Sequence, residues 1–405
     1  MRVALTGFRW PLDPALAEGR DETTLARALY TTPLRTDPAT GAVMPGLCTA
    51  WKASPDFRDW TFTCSAAPSI AAGLRRLVQL KDAPSRWLFA DATGITAESA
   101  TRLRIQLRFG WRRFPYALTA VAAAPRFVPG PFRLVSGSAT RVVVRNSVLT
   151  VVFQRLGAYA AVRAFRRGQL DESPVPLGDV VADQENSALR HAVRSRRLLG
   201  LDLVLFHGVD AELRQTYWQT ADRSDYEQLV PEQDGASAFG LVGAGPGADP
   251  ARFRKAVHGI PSLPRVLVRI AVPRDPVLHF GARLLYANWR DLGLGPRLVG
   301  EGSGADASFR RLLAVYPQEE AIFAELTLGS GVGSRADLVR ALAATDQKED
   351  LQRLDDRLRQ SAAVVPIAWV VDSRLVSLRL EGWREDVLGN VDYAAVRSRA
   401  SSRGP

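Results

Sequence analysis

The stretch that decides the fold runs from Val43 to Cys64 and reads V-M-P-G-L-C-T-A-W-K-A-S-P-D-F-R-D-W-T-F-T-C. Two arms rich in Trp, Phe and Thr flank a turn-forming Ser-Pro-Asp sequence near Asp56, and this pattern is typical of a β-hairpin. Cys48 and Cys64 are equally far from the turn, so the hairpin places them opposite each other. They are the only 2 cysteines of the chain.

Two cysteines that face each other across a hairpin are close enough to form a disulfide bond. Such a bond is typical of proteins that work outside the cytoplasm. The alternative is a pair of buried free thiols that pack as small apolar side chains. We predict a disulfide between Cys48 and Cys64.

The composition is that of a soluble globular protein, with 46% hydrophobic and 23% charged residues. A length of 405 residues predicts two or three subdomains. The net charge of +11 raises the question of a polyanionic partner. The arginines that supply it are scattered along the chain rather than clustered, so we expect no nucleic-acid partner. No apolar run approaches the roughly 18 residues of a membrane span.

The hairpin resembles a "Pro-x-Leu-Ala-x-x-Trp, turn, Trp-Thr-Phe" segment of a known family, and other segments resemble that family in the same order. The chain is identified on these segments as a short, divergent relative of the peptide and nickel solute-binding proteins of ABC transporters, the extracellular solute-binding protein family 5. The further segments are Leu12-Asp13-Pro14, Gly130-Pro131-Phe132-Arg133-Leu134, Gly168-Gln169-Leu170-Asp171 and Val364-Val365-Pro366-Ile367-Ala368-Trp369.

This resemblance implies an α/β protein with the two-lobed periplasmic-binding-protein type II fold and an additional small subdomain. It also implies that the chain passes between the lobes near residues 168–175 and 360–366. The expected boundaries are 1–43 for the first part of lobe I, 44–127 for the small second subdomain, 128–175 for the second part of lobe I, 176–361 for lobe II and 362–405 for the C-terminal return to lobe I.

The resemblance also implies a ligand-binding cleft between the lobes. In the family, the loop that corresponds to Ala17 to Asp21 touches the ligand, so Glu18, Gly19 and Arg20 are candidates for one wall. The alternative for this loop is an ordinary solvated turn. Tyr316 and Trp369 are candidates for the opposite wall.

One feature of the peptide-binding relatives is missing from this sequence. In those proteins an aspartate of the second lobe pairs with the amino terminus of the ligand, and the corresponding stretch here, Leu313 to Glu319, contains no aspartate. This departure leaves the chemical class of the solute open.

The implied function is the capture of a small solute, peptide-like or other, by hinge closure and its delivery to an ABC transporter permease. We expect a monomer without a cofactor, located outside the cytoplasm in the periplasm or at the cell surface. Met1 leads directly into a predicted strand, so we expect the signal segment to be absent from this sequence. The alternative is a cytoplasmic or transporter-independent sensor or scaffold with a degenerate solute-binding fold.

Other motifs predict no catalytic or metal site, and the expected protein is not an enzyme. The glycine-rich stretch Gly243 to Gly247 lacks a suitably placed ribose-binding carboxylate, and Gly329 to Ser334 lacks the lysine of a phosphate-binding loop. The first is interpreted as a loop and the second as a flexible connector. The histidines have no metal-ligand spacing, and no nucleophile elbow occurs.

Overall fold

The computed structural model describes residues 1–227, 238, 240–242, 266–302 and 304–398. The stretch Gly243 to Gly247 and His258 lie outside these residues. Within them, no helix is long and apolar enough to cross a membrane. The strands are β1 Arg2–Leu5, β2 Leu34–Thr36, β3 Val43–Pro45, β4 Cys48–Ala53, β5 Asp59–Cys64, β6 Ala92–Ala97, β7 Arg102–Leu107, β8 Arg133–Gly137, β9 Arg141–Arg145, β10 Thr150–Arg155, β11 Glu172–Pro174, β12 Val193–Phe206, β13 Leu267–Val272, β14 Gly295–Gly300, β15 Ala307–Leu313, β16 Val364–Val376, β17 Leu380–Glu381 and β18 Arg397–Ser398.

The helices are distributed over both lobes and mostly follow strands. A π-helical turn, Glu325–Gly329, continues α8 directly. The α-helices are α1 Gly19–Leu29, α2 Ala67–Gln79, α3 Ala158–Arg166, α4 Val180–Glu185, α5 Ala211–Gln219, α6 Ser224–Glu227, α7 Pro276–Asp291, α8 Glu320–Ala324, α9 Arg335–Ala343 and α10 Lys348–Ser361.

The predicted hairpin is present as β4 and β5, with its turn between Ser54 and Asp59. Cys48 pairs with Cys64 in the register of the two strands, and their sulfur atoms form the predicted disulfide. The hairpin is half of a four-stranded sheet with the order β4-β5-β7-β6. Helix α2 buries Leu74 and Leu77 in the core below this sheet.

A ten-stranded sheet forms the centre of the molecule, in the order β14-β13-β15-β12-β16-β11-β1-β10-β9-β8. Strands β11, β1 and β10 are parallel neighbours in lobe I, whereas β13 is parallel to both β14 and β15 in lobe II. Parallel neighbours with intervening helices are typical of α/β lobes. The expected two-lobed α/β architecture is therefore confirmed.

The lobes are connected through β12 and β16, two long antiparallel strands at the middle of the sheet. Their register runs from Val193 opposite Leu375 to Leu205 opposite Val364. One end of this pair lies beside β11 in lobe I, and the other end lies beside β15 in lobe II. These two strands thus extend from one lobe into the other, and the crossings near residues 168–175 and 360–366 that the resemblance implies stay a prediction.

Pro366 lies inside β16, although proline cannot donate a hydrogen bond to a neighbouring strand. The pairing with β12 is irregular at this point, because Asp202 lies opposite Ala368 while Leu203 lies opposite Pro366. A bulge is one of the few places in a sheet where proline is tolerated. The carbonyl of Pro366 accepts a hydrogen bond from Arg223 Nε at 2.8 Å, which ties the bulge to lobe II.

Helix α1 begins inside the segment from Ala17 to Asp21 that the resemblance implies to be a loop. Its first residue is Gly19, with Glu18 in an extended conformation before it. The carboxylate of Glu22 accepts the backbone N–H of Glu18 at 3.0 Å, which closes the helix start. Glycine at position 19 has φ +66°, a value that other residues adopt at a cost. The predicted loop is therefore mostly the first helical turn.

Candidate ligand-binding cavity

A cavity of about 480 Å³ lies at the junction of the two lobes. This volume lies within the range of about 300–1,000 Å³ that is usual for small-molecule sites. Lobe I contributes the start of α1, the crossing strand β16 contributes its C-terminal half, and lobe II contributes the end of β15 and the helix after it. The charged residues along its wall are Glu18, Arg20, Asp21, Arg27, Asp275, Arg311, Glu325, Asp372 and Arg374.

Arg20 joins the start of α1 to the crossing strand. Its Nε lies 2.8 Å from Oδ2 of Asp372, and its Nη2 lies 2.8 Å from Oε1 of Glu385. Only 9% of its side chain is exposed. Burial opposes the charge of this guanidinium, but Asp372 and Glu385 outweigh that effect and raise its pKa. The remaining nitrogen, Nη1, is buried 3.9 Å from Oδ1 of Asp21 and has no hydrogen-bond partner among the described residues.

Arg374 lies beside Arg20 and uses the same carboxylate. Its Nε lies 3.0 Å from Oδ2 of Asp372, and its Nη1 lies 3.0 Å from Oε1 of Glu172. The side chain of Arg374 is only 2% exposed. Charges buried this deeply are tolerated only when they are paired and hydrogen-bonded. The two arginines therefore form a rigid floor of the cavity.

Glu172 is the most deeply buried carboxylate of this floor. It also accepts hydrogen bonds from Trp383 Nε1 at 2.8 Å and from the hydroxyl of Tyr393 at 3.0 Å. Burial raises the pKa of Glu172 to about 7, although Arg20 works in the opposite direction. Burial likewise raises the pKa of Asp372 well above its ordinary value. Protonation of Glu172 near neutral pH would change the charge of the floor.

Asp21 fixes the start of α1 to the end of β1. Its Oδ2 accepts the backbone N–H and the hydroxyl of Thr6, both at 2.6 Å, and the backbone N–H of Gly7 at 3.2 Å. Its other oxygen lies 3.7 Å from Arg374. A carboxylate that accepts several hydrogen bonds of this kind is held in one orientation. Asp21 therefore fixes the position of the first turn of α1 relative to the end of β1 at the cavity wall.

On the lobe II side, Arg311 is already paired. Its Nε and Nη2 lie 2.7 and 2.9 Å from the two oxygens of Asp202 on β12. Asp202 also accepts the hydroxyl of Tyr226. This bidentate pair fixes Arg311 at the wall. Its charge is therefore compensated within lobe II.

Three of the five predicted ligand-binding residues lie at the cavity, and two do not. Glu18, Gly19 and Arg20 line it. Tyr316 is 0% exposed and packs between Trp111 and Tyr116 in the core that the hairpin sheet shares with lobe II, with ring centroids 6.3 and 6.2 Å apart.

Trp369 is likewise buried, with the guanidinium of Arg197 4.1 Å from its ring centroid. Neither Tyr316 nor Trp369 is part of the cavity wall. Both rings point into the core behind the wall. The residues next to them line the cavity instead: Ala314 and Val315 near Tyr316, and Val371 near Trp369. That Tyr316 and Trp369 contact a solute stays a prediction.

Sequence reasoning missed Asp372, Arg374 and Glu325. The signal for the first two was present, since both interrupt the apolar strand β16. A charged residue inside a buried strand requires a partner, and that requirement marks a special position. Glu325 had no comparable signal, because its place on the short helix pair after β15 depends on tertiary packing.

The described residues offer little basis for metal binding. No group of three or more His, Cys, Asp or Glu side chains among them is arranged to hold a metal ion. His207 lies 3.2 Å from the hydroxyl of Ser308, and His191 accepts a hydrogen bond from the neighbouring Arg190. These two histidines have structural partners at the protein surface.

Comparisons with known proteins establish the fold. No family model matches the sequence, and no curated protein matches it. Solved structures do match over nearly the whole chain. The Escherichia coli murein tripeptide binding protein MppA is 18% identical, with a TM-score of 0.80, and the match covers 98% of each chain.

Two further structures are similar over the same length. Haemophilus influenzae OppA in complex with the peptide RPPGFSPFR is 15% identical, with a TM-score of 0.80 and 98% of each chain covered. A dipeptide binding protein of Pseudoalteromonas in complex with Met-Leu is 14% identical, with a TM-score of 0.81, and the match covers 98% of this chain and 100% of that one. At this identity the similarity shows the two-lobed binding-protein fold.

Proposed function

We propose that this protein captures a small, peptide-like solute between its two lobes and delivers it to an ABC transporter permease. The observation that carries the proposal is the cavity of about 480 Å³ at the crossing of the lobes, with walls from both of them. Its floor of buried ion pairs is preformed, because Arg20 and Arg374 share the carboxylate of Asp372. A site with walls on two hinged bodies closes when a ligand contacts both.

The comparisons support this proposal, because two of the similar structures are of proteins named as peptide-binding and a third contains a bound peptide. We further propose that Glu18, Gly19 and Arg20 contact the solute and that the protein works as a monomer without chemical turnover. The location that fits this function is outside the cytoplasm, and the disulfide agrees with it. The subdomain boundaries at residues 43, 127, 175 and 361 belong to the same proposal. No observation favours the alternative of a sensor or scaffold.

Calorimetric titration of the full chain with a mixture of dipeptides and tripeptides tests the proposal. Ala158 lines the cavity, so Ala158→Trp should fill it and abolish binding without breaking an ion pair. Ala100→Trp is the matched control, because Ala100 is exposed and lies outside the cavity. Binding that survives Ala158→Trp would place the site elsewhere, and a failure of every peptide to bind would remove the peptide from the proposal. Hydrolysis of the bound peptide would show that the protein is an enzyme.

A further inference from the structure

The positive charge of the chain is not evenly distributed. Arginines occur throughout the sequence, but residues 99–170 contain 13 arginines and no lysine, aspartate or glutamate. This segment comprises β7 of the hairpin sheet and β8, β9, β10 and α3 of lobe I. It carries more positive charge than the net +11 of the whole chain, so the remainder of the chain is slightly acidic.

The arginines of this segment differ in whether they have a carboxylate partner. Several near the hairpin sheet are paired with carboxylates outside the segment: Arg102 lies 2.9 Å from Glu98, and Arg108 lies 3.7 Å from Asp91. Lobe I therefore differs from the hairpin sheet, because it presents positive charges that the protein itself does not neutralise. Six exposed arginines there form no ion pair with any residue that the structure describes: Arg133, Arg141, Arg145, Arg155, Arg163 and Arg167.

Two of these six arginines lie side by side at the outer edge of the central sheet. β8 is the last strand of the sheet, and its Arg133 is the register partner of Arg145 on β9. The guanidinium of Arg145 donates a hydrogen bond to the hydroxyl of Thr150 at 3.0 Å, and this neutral partner leaves the positive charge in place. The edge of the sheet therefore presents two neighbouring cations to solvent.

Exposed apolar side chains lie beside these two arginines. Leu134 and Val135 follow Arg133 on β8 and are 50% and 54% exposed. Val148 is 62% exposed in the turn between β9 and β10, and Asn146 fixes this turn by accepting the backbone N–H of Val148 at 2.9 Å. We call the following five residues the edge patch: Arg133, Leu134, Val135, Arg145 and Val148.

Protection of the sheet edge does not account for this combination. Edge strands are commonly shielded by charges and bulges, and the pairing of β8 is irregular between Leu134 and Ser136. Shielding does not require exposed aliphatic side chains beside the arginines. A second copy of the chain, paired along β8, would bring Arg133 and Arg145 of both copies together without carboxylates, which is unfavourable.

We propose that the edge patch binds the anionic headgroups of a lipid bilayer. Its arginines match the phosphate groups, to which a guanidinium donates paired hydrogen bonds, and its aliphatic side chains enter the bilayer interface. Interfacial binding grows with the buried apolar area and with the attraction to anionic lipids. A bilayer therefore uses both parts of the edge patch, whereas a nucleic acid uses chiefly the arginines. This attachment goes beyond solute capture, because no residue of the edge patch lines the cavity.

Co-sedimentation of the full chain with lipid vesicles tests the proposal. Vesicles of phosphatidylcholine and phosphatidylglycerol in a ratio of about two to one should bind the protein, and vesicles of phosphatidylcholine alone should not. An increase in salt from about 0.05 M to about 0.5 M should release the protein, because salt screens the charges. Equal binding to both kinds of vesicle, or no binding to the anionic vesicles, would overturn the proposal.

Two pairs of substitutions separate the edge patch from the effect of net charge. Arg133→Gln/Arg145→Gln should lower the affinity for the anionic vesicles by roughly tenfold or more, since each arginine near such a surface contributes about fivefold. The matched control, Arg102→Gln/Arg108→Gln, removes the same charge from exposed positions at the hairpin sheet and should change this affinity much less. Equal losses for the two pairs would overturn the proposal, because net charge alone would then explain the binding.

The apolar part of the edge patch distinguishes a bilayer from a nucleic acid. Val148→Ser should weaken binding to the anionic vesicles by roughly fivefold. Its control is Leu378→Ser, because Leu378 is 60% exposed and follows β16, several strands away from β8. The proposal fails if Val148→Ser binds like the wild type, or if a DNA duplex at equal phosphate concentration displaces the protein from the vesicles. Dipeptide binding should be the same in the wild type and in Arg133→Gln/Arg145→Gln, so a failure of solute capture would be recognised separately.

Discussion

The guanidinium of Arg374 lies 3.0 Å from the carboxylate of Glu172, and the two side chains are only 2% and 0% exposed. This pair joins β16 to β11, which are far apart in sequence and adjacent in the sheet. It lies at the lobe I end of the crossing strands, directly below the cavity. The pair therefore fixes the strand on which Asp372 is presented to the cavity.

Removal of Arg374 should destabilise the protein strongly. Arg374→Met leaves Glu172 buried without its cation, and breaking a buried pair from one side typically costs about 3–5 kcal/mol. Urea unfolding measures this loss as a lower midpoint. Arg379→Met is the control, since Arg379 is 62% exposed and its pair with Asp171 should contribute less than about 1 kcal/mol. Equal midpoints for the two variants would contradict this account.

Glu320 should make stability depend on pH near neutrality. Its side chain is fully buried, and burial raises its pKa from 4.5 to about 7, although Arg113 opposes the shift. The folded state thus holds the proton more tightly than the unfolded state. The stabilising contribution of protonated Glu320 is complete below the pKa that Glu320 has in the unfolded chain, and it is lost as the pH rises through the pKa of the folded state.

Glu320→Gln should therefore gain stability relative to the wild type as the pH rises from about 4 to about 8, by on the order of 3 kcal/mol. Thermal unfolding across this range measures the difference between the two proteins. The exposed Glu185 provides the control Glu185→Gln, whose difference from the wild type should stay nearly constant. A constant difference for Glu320→Gln as well would show that Glu320 titrates normally.

The sequence predicts those parts of the structure that depend on local pattern. The hairpin, its turn and the pairing of Cys48 with Cys64 follow from residues close together in the chain. The N-terminal cap of α5 is equally local, since Asp210 accepts the backbone N–H of Leu213 at 2.9 Å. Such features are specified within a few residues, so no tertiary information is needed to find them.

The central crossing strands were not predictable in the same way. The first half of β12 contains Arg194, Arg196 and Arg197, and its second half is an apolar run interrupted only by Asp202, so the strand shows no regular alternation. Its two halves lie in different environments, one at the cavity end of lobe I and one in the core of lobe II. The cavity floor was missed for a related reason, because the partners of Arg374 come from other segments of the chain.

The disulfide should stabilise the hairpin subdomain. Cys48 and Cys64 close a loop with a sequence separation of 16, and the chain-entropy model assigns about 3 kcal/mol to a loop of this length. The double variant Cys48→Ala/Cys64→Ala should unfold at a correspondingly lower temperature. A reductant should lower the unfolding temperature of the wild type but not that of the variant. Peptide mapping without reductant that found both thiols free would contradict the bond.

Substitutions of Tyr316 test whether this residue stabilises the core or contacts the ligand. Its ring is fully buried, so Tyr316→Ala should cost about 3–5 kcal/mol of stability through the cavity it leaves. Its hydroxyl is buried without a hydrogen-bond partner among the described residues. Tyr316→Phe should therefore be neutral or slightly stabilising, because it removes an unsatisfied group. Calorimetry on Tyr316→Phe decides the role: unchanged solute affinity is expected, and a large loss would show that the hydroxyl contacts the solute.

Arg20 and Asp372 should act as one unit in stability. Oδ2 of Asp372 lies 2.8 Å from Nε of Arg20 and 3.0 Å from Nε of Arg374, so a single carboxylate oxygen separates two guanidinium groups. Asp372→Asn leaves the two cations facing each other without that charge. Arg20→Met leaves Asp372 with one partner and Glu385 with none from α1.

Each of these substitutions should therefore cost about 3–5 kcal/mol by itself. The double variant Arg20→Met/Asp372→Asn should cost less than the sum, because the second change removes a group that the first has already left uncompensated. Coupling energies between contacting residues are typically about 0.5–3 kcal/mol, and urea unfolding of the four proteins measures this one. Strict additivity would mean that the two side chains contribute independently. Unchanged stability of Arg20→Met would mean that Arg20 is a ligand contact whose loss affects binding alone, as the resemblance implied, rather than a structural part of the cavity floor.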